Sequence, residues 1–238
     1  MLDLTSPKGR IIDAALRLAA SKPWREVTLA EIAHSAGLSL ADLAKEFYGK
    51  LAIVGAFQKL VDEEVLRRAK VTYGSDEHPR DRVFDVIMTR FDVMEPYRAA
   101  LRSILADGGL PPLPGTVRKM MRSQHWMLVA AGIPADGPAG RVREAGLLSV
   151  YARAFREWLE DDDPGHAKTM AVLDRRLRNG ERWIQFFDDV HDRAERLASV
   201  FAPGGKWSRS PKSGGTAAEP PPAASAPPLS PTAGPTTF

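Results

Sequence analysis

The stretch TLAEIAHSAGLSLADLAKEF, residues 28–47, restricts the possible folds of this chain more than any other feature. Thr28 followed by Glu31 is a capping box, in which each side chain satisfies a backbone N–H at a helix start. Ser39 followed by Asp42 repeats a weaker form of the same signal. Between them, Gly37 can enter the left-handed backbone region, and Leu38 can pack inward behind it. The pattern predicts two short helices joined by a tight turn, an arrangement that can set its second helix in a DNA major groove. That second helix offers Leu40, Ala41, Asp42, Ala44, Lys45 and Glu46, a poor surface for meeting phosphates.

Apolar spacing places a preceding helix over 9–21, with Ile11, Ile12, Ala15, Leu16, Leu18 and Ala19 on one face. Lys22-Pro23 breaks it, and Trp24 and Val27 are expected to cover the edge of a small core. Ile32 and Ala33 are expected to meet Leu40, Leu43 and Phe47. A head of this size is marginal alone. A long helix over 50–70 can anchor it through Leu51, Val54, Phe57, Leu60 and Val65. Further helical patterns run over 80–94, 96–107, 115–131, 139–160 and 166–201, with loops at 71–79, 108–114, 132–138 and 161–165. No alternating strand pattern of useful length occurs, so the expected fold class is all-α. The expected division is a head over 1–49, a helical ligand-binding and dimerisation body over 50–202, and a disordered tail over 203–238. That tail, rich in Pro, Ala and Ser, cannot build a packed helix or central strand.

Charge adds little to a nucleic-acid argument. The net charge is +3, with +2 in residues 1–70, +2 in residues 205–238 and −1 between them, so the tail accounts for much of the basicity. Cysteine is absent, which removes disulfides, thiolate metal sites and cysteine nucleophiles. The start, interrupted by Asp3, Lys8, Arg10 and Asp13, has no signal-peptide form, and no apolar run spans a membrane. A cytoplasmic location without an integral membrane segment is the expectation. The five histidines make no HExxH pattern, PGGK at 203–206 falls short of a phosphate loop, and no serine sits in a nucleophile elbow. Neither an enzyme nor a cofactor is expected. The acidic run Glu160–Asp163 reads as a solvated turn.

VTLAEIAHSAGLSLADLAKEFYGKLAIV (27–54) resembles the head motif of the TetR family of one-component regulators, through Thr28, Ile32, Ala33, Ala36, Gly37, Ser39, Leu43, Phe47 and Lys50. The resemblance implies a TetR-like three-helix head on a larger helical ligand-binding and dimerisation body. It implies a homodimer on a double-stranded DNA operator, released by a small hydrophobic effector or lipid. Thr28 and Lys50 would hold phosphates, while Ser39, Leu40, Ala41 and Lys45 complete the DNA-binding set. The family usually carries an aromatic at Ala44 and often a histidine at Glu46, so this head departs from it where bases would be met. Lys8, Arg10, Lys22, Arg25, Lys45 and Lys50 are the candidates to compensate. Residues 90–105, 121–133 and 145–177 also resemble the COQ9-type branch of this fold, whose members bind lipid or isoprenoid quinone intermediates in ubiquinone biosynthesis.

The body carries many aromatic and methionine residues, which suit an adaptable apolar cavity. The candidate effector residues are Met88, Phe91, Arg122, His125, Trp126, Tyr151, Phe155 and Trp158, with Tyr97, Arg98, Gln124 and Arg156 as further polar groups. Arg122 and His125, three residues apart, can share a face and receive an anion. Trp126 points to a different sector from His125, so sequence adjacency does not make them a pair. Leu147, Leu148, Val150, Tyr151, Phe155, Leu159, Val172, Leu173 and Leu177, with Ile184, Phe187 and Val190, recur at helical spacing and suit a four-helix dimer interface.

Overall fold

A computed structural model of the chain describes residues 2, 4–69, 77–108 and 114–180. The expected helix over 181–201, with Trp183, Ile184, Phe186, Phe187, Val190 and His191, lies outside the described residues, as do the tail and most of the loops at 71–79 and 108–114. The described part is all-α. Its helices are α1 (Pro7–Ser21), α2 (Leu29–Ser35), α3 (Leu40–Glu46), α4 (Lys50–Arg68), α5 (Pro79–Met94), α6 (Arg98–Ala106), α7 (Pro114–Ala130), α8 (Gly137–Glu160) and α9 (167–180). Short 3-10 turns at Trp24–Glu26 and Glu95–Tyr97 lead into α2 and α6. Pro96 thus sits in the turn that separates α5 from α6.

Local chemistry accounts for the head. Ser6 accepts from the Gly9 amide at 3.0 Å and Pro7 opens α1, where its missing N–H costs nothing. The Thr28 hydroxyl accepts from Glu31 N at 3.2 Å, while the Glu31 carboxylate accepts from Thr28 N at 2.9 Å. At the end of α2, Leu38 N donates to Ala33 O and Gly37 N to His34 O, both at 3.0 Å. This is a Schellman motif, and Gly37 takes the φ of +65° that it demands. Ser39 then caps α3 by accepting from Asp42 N at 3.1 Å.

Ile11, Ile12, Ala15, Leu16 and Ala19 of α1 are buried with Trp24, Val27, Ile32, Ala33, Leu43 and Phe47. Each large apolar side chain so buried contributes roughly 1.5–3 kcal/mol. Two expected core positions differ. Leu40, at the first turn of α3, is 52% exposed, and Leu51 is exposed at the first turn of α4. The inward faces are formed by Leu43 on α3, with Phe47 directly after it, and by Ile53, Val54, Phe57, Val61 and Val65 on α4.

The most extensive helix pairing is α1 with α6, so the head rests directly on the body. Polar contacts fix that joint. Trp24 N donates to Ser103 Oγ at 3.1 Å, and Ser103 Oγ donates to Lys22 O at 3.2 Å. Arg25 donates from its amide and its guanidinium to the two oxygens of Asp107, at 2.8 and 2.9 Å.

In the body, Phe91, Tyr151, Phe155 and Trp158 stack with ring centroids 5.3 to 5.8 Å apart. Trp158 Nε1 donates to Glu95 Oε2 at 3.0 Å, and Arg102 caps the end of α8 by donating to Leu159 O at 3.0 Å. Asp161 departs from the solvated-turn expectation. It is buried, and its Oδ2 accepts from the amide and hydroxyl of Thr169 at 2.9 and 2.8 Å, tying the loop to α9. Leu147, Val150, Leu159, Leu173 and Leu177, assigned by spacing to a dimer interface, are buried within the single chain. The solvent face of α8 carries Val142, Ala145, Gly146, Ser149, Ala152, Arg153 and Arg156 instead.

Candidate functional site

On the outer face of the head, Leu40, Ala41, Ala44 and Lys45 of α3 are exposed. Thr28 and Ser39 lie at the starts of α2 and α3, each engaged with its own helix. The Thr28 hydroxyl donates to Glu31 at 2.9 Å, and the Ser39 hydroxyl donates to Asp42 at 2.6 Å. Tyr48, which the sequence reading passed over, is 87% exposed immediately after α3. The usable signal was an aromatic residue between the last inward position, Phe47, and the glycine that starts α4.

Most of the expected basic residues already have protein partners. Lys22 pairs with Glu31 at 2.6 Å, Arg25 with Asp107 at 2.9 Å, and Lys45 with Asp42 at 2.9 Å. Lys50, expected at a phosphate, donates to Trp24 O at 2.6 Å and Val27 O at 2.8 Å, and its ammonium lies 4.6 Å from the Trp24 ring centre. Partial burial lowers its pKa, opposed in part by the nearby Asp107 carboxylate. Lys8, 5.5 Å from the Phe47 ring centre, and Arg10 have no carboxylate partner among the described residues. Among the described residues they are the free positive charges closest to the motif in sequence. Asp42 is held ionised, with a pKa of about 2, by Lys45 and then by Ser39.

The candidate effector residues separate into two groups. Phe91 and Trp158 are buried, and Tyr151 and Phe155 complete their ring stack, while Met88 packs against the same core. Arg122 and Trp126 instead line a groove between α4 and α7. His125 Nδ1 lies 2.8 Å from Glu144 Oε1 on α8, so His125 and Arg122 do not converge on one anion. His125 and Trp126 do meet, edge to face at 5.5 Å, because adjacent rings on a helix can bend toward each other where their sectors adjoin.

Arg90, Asp62 and Ser123 were missed. Arg90 is buried on α5, donates to Asp62 of α4, and donates from Nε to the Tyr151 hydroxyl of α8 at 3.1 Å. Ser123 of α7 donates to the same Asp62 oxygen at 2.7 Å. Burial works against the Arg90 charge, but Tyr151 and Asp62 outweigh it and hold the pKa above its ordinary value. Burial pushes the Tyr151 hydroxyl up. This network ties four helices together. Its signal was an arginine at the spacing of Val83, Ile87 and Met94, the buried face of α5. Gln124 of α7 is 2% exposed, and its Oε1 has no hydrogen-bond partner among the described residues. Among the described residues there is no cluster of three metal-ligating side chains, and no helix is long and apolar enough to cross a membrane.

Two short capped helices across a Schellman turn, mounted on a helical body, define a helix-turn-helix protein. Residues 11–57 match the family described as bacterial regulatory proteins, tetR family. The HTH-type transcriptional regulator BetI of Brucella anthropi is 32% identical over 173 residues, covering 70% of this chain and 89% of that protein. A TetR transcriptional regulator from Nitrosomonas europaea has the same fold, with a TM-score of 0.59 at 24% identity over 73% of this chain and 97% of that one. One from a Rhodococcus species gives 0.53 at 19% identity, over 72% and 93%. The chain belongs to the TetR family of transcriptional regulators, a family of DNA-binding and non-catalytic proteins.

Proposed function

We propose that the chain is a ligand-responsive repressor that binds operator DNA as a homodimer and is released by a small, largely hydrophobic effector. The observation that carries this reading is the joint between head and body. The outward face of α3 belongs to a head that Arg25, Trp24 and Lys50 hold against α6 and α4, so a shift of those helices re-aims α3. Two heads related by a two-fold axis would place their α3 helices about one duplex turn apart, and a change in that spacing weakens binding. In this reading residues 1–49 read DNA and residues 50–202 sense and pair. The exposed face of α8 is the pairing surface, since its apolar stripe is consumed inside the chain.

Contacts from Ser39, Leu40, Ala41, Lys45 and Tyr48 would meet the groove, with Lys8 and Arg10 on phosphate. The similarity to BetI of Brucella anthropi, an HTH-type transcriptional regulator, supports this reading. The COQ9-like alternative, a carrier of lipid or isoprenoid quinone, is favoured by one observation, the persistently negative Asp42 on α3. The comparisons do not tie the chain to that branch.

The test is a titration of the full chain with duplex DNA from its own upstream region and with a scrambled duplex, across a range of salt, alongside extraction of co-purifying lipid. Selective, saturable binding with a steep salt dependence is the expected result. Equal affinity for both duplexes together with bound isoprenoid lipid would replace the repressor with the carrier.

A further inference from the structure

Between α4 and α7 runs a groove of about 340 Å³ whose charges do not balance. On the α7 wall, Lys119, Arg122, Ser123 and Trp126 recur at one helical face. On the α4 wall stand Asp62 and Glu63, but neither carboxylate is free. Asp62 accepts from the buried Arg90 and from Ser123, and Glu63 lies 3.5 Å from Lys59. With those pairs formed, Lys119 and Arg122 have no partner among the described residues. Gly55 makes room for one of them. A Cβ at that position would stand 3.3 Å from Lys119 Nζ, so the missing side chain lets the ammonium approach α4.

The groove also has an apolar wall. Trp126 is 39% exposed beside Leu66, and its ring is backed edge-on by His125, itself fixed by Glu144. A positive pair at one end and an indole face at the other match a molecule with a carboxylate and a flat apolar ring. We infer that this groove is a binding site for a small aromatic carboxylate. The inference rests on the ligand-responsive reading above and names the chemistry of its effector. A bound ring would bridge α7 to α4, the helix whose first residue, Lys50, grips the head.

Calorimetry on the full chain with 2-naphthoate, and with neutral 2-naphthalenemethanol as its counterpart, tests this. Naphthoate should saturate at a single site and bind at least about tenfold more tightly than the alcohol, about 1.4 kcal/mol. The K119Q/R122Q variant should lose that preference while keeping its thermal midpoint, because both side chains are exposed. W126A should weaken both compounds. Equal affinity for acid and alcohol, or unchanged naphthoate affinity in K119Q/R122Q or in W126A, would overturn the site. A parallel DNA titration separates the two claims. Naphthoate that binds in the groove without altering DNA affinity keeps the site and removes the switch. Naphthoate that releases DNA equally well from K119Q/R122Q keeps the switch and removes the site.

Discussion

Arg25 reaches Asp107 twice, through its amide at 2.8 Å and its guanidinium at 2.9 Å, across 82 positions of sequence. Asp107 follows the last residue of α6, and Arg25 lies in the turn leading to α2, so this pair binds the motif to the body. The Arg25 side chain is exposed, which limits the pair to about 1 kcal/mol. Asp107→Ala should therefore leave the fold intact while loosening the turn. Hydrogen exchange should accelerate at residues 24–28 and remain unchanged in α8. Unchanged exchange at 24–28 would show that the α1–α6 packing suffices alone.

If α3 meets DNA as proposed, Asp42 opposes it in two ways, through its own charge and by occupying Lys45. Asp42→Asn removes the charge and keeps the Ser39 cap, which uses the backbone amide of residue 42. Lys45 then becomes available to phosphate. The slope of log affinity against log salt should steepen by about 0.9, and affinity at low salt should rise several-fold. An unaltered slope would place Lys45 away from the duplex.

Lys50 is a strut between α4 and the 24–27 turn. Lys50→Met keeps the aliphatic packing but strands the carbonyls of Trp24 and Val27, at a cost of about 1–3 kcal/mol. The thermal midpoint should fall by roughly 2–4 °C for each kcal/mol lost. The DNA salt slope, measured where the variant is folded, should not change. A slope shallower by about 0.9 with an unshifted midpoint would instead make Lys50 a phosphate ligand.

The head should be sensitive to acid. Lys22 and then Thr28 lower the Glu31 pKa from 4.5 to about 2, and Lys45 and then Ser39 lower Asp42 from 3.8 to about 2. A carboxylate depressed by folding stabilises the fold fully above its ordinary pKa, and that contribution is lost as pH falls through the depressed one. Thermal midpoints should decline between about pH 4.5 and 2. Glu31→Gln, which can still close the capping box, should flatten part of that decline. Identical acid profiles for the variant and the parent would contradict this origin.

Local signals were legible because local atoms satisfy them. The capping box, the Gly37 turn and the Ser39 cap are contacts within six residues, and the sequence spells each out. Long-range pairing was not legible in this way. Nothing adjacent to Lys50 announces that its donors face carbonyls 23 and 26 residues earlier, and nothing near Asp161 announces Thr169 as its partner. Aromatic composition pointed to a cavity, but ring size alone cannot distinguish lining from filling, and four of the rings fill the interior by stacking on one another. Arg90 could have been found, because a charge at the spacing of a buried apolar stripe demands a partner.

The absence of cysteine makes the central claim directly measurable. Ala44→Cys puts a single spin label on the exposed face of α3, and pulsed dipolar spectroscopy then reports the distance between the two heads of a pair. The expected result is a narrow distribution of roughly 34–36 Å, one duplex turn, that broadens when Asp107→Ala is added. No dipolar signal at micromolar protein, or a distribution that Asp107→Ala leaves unchanged, would contradict it.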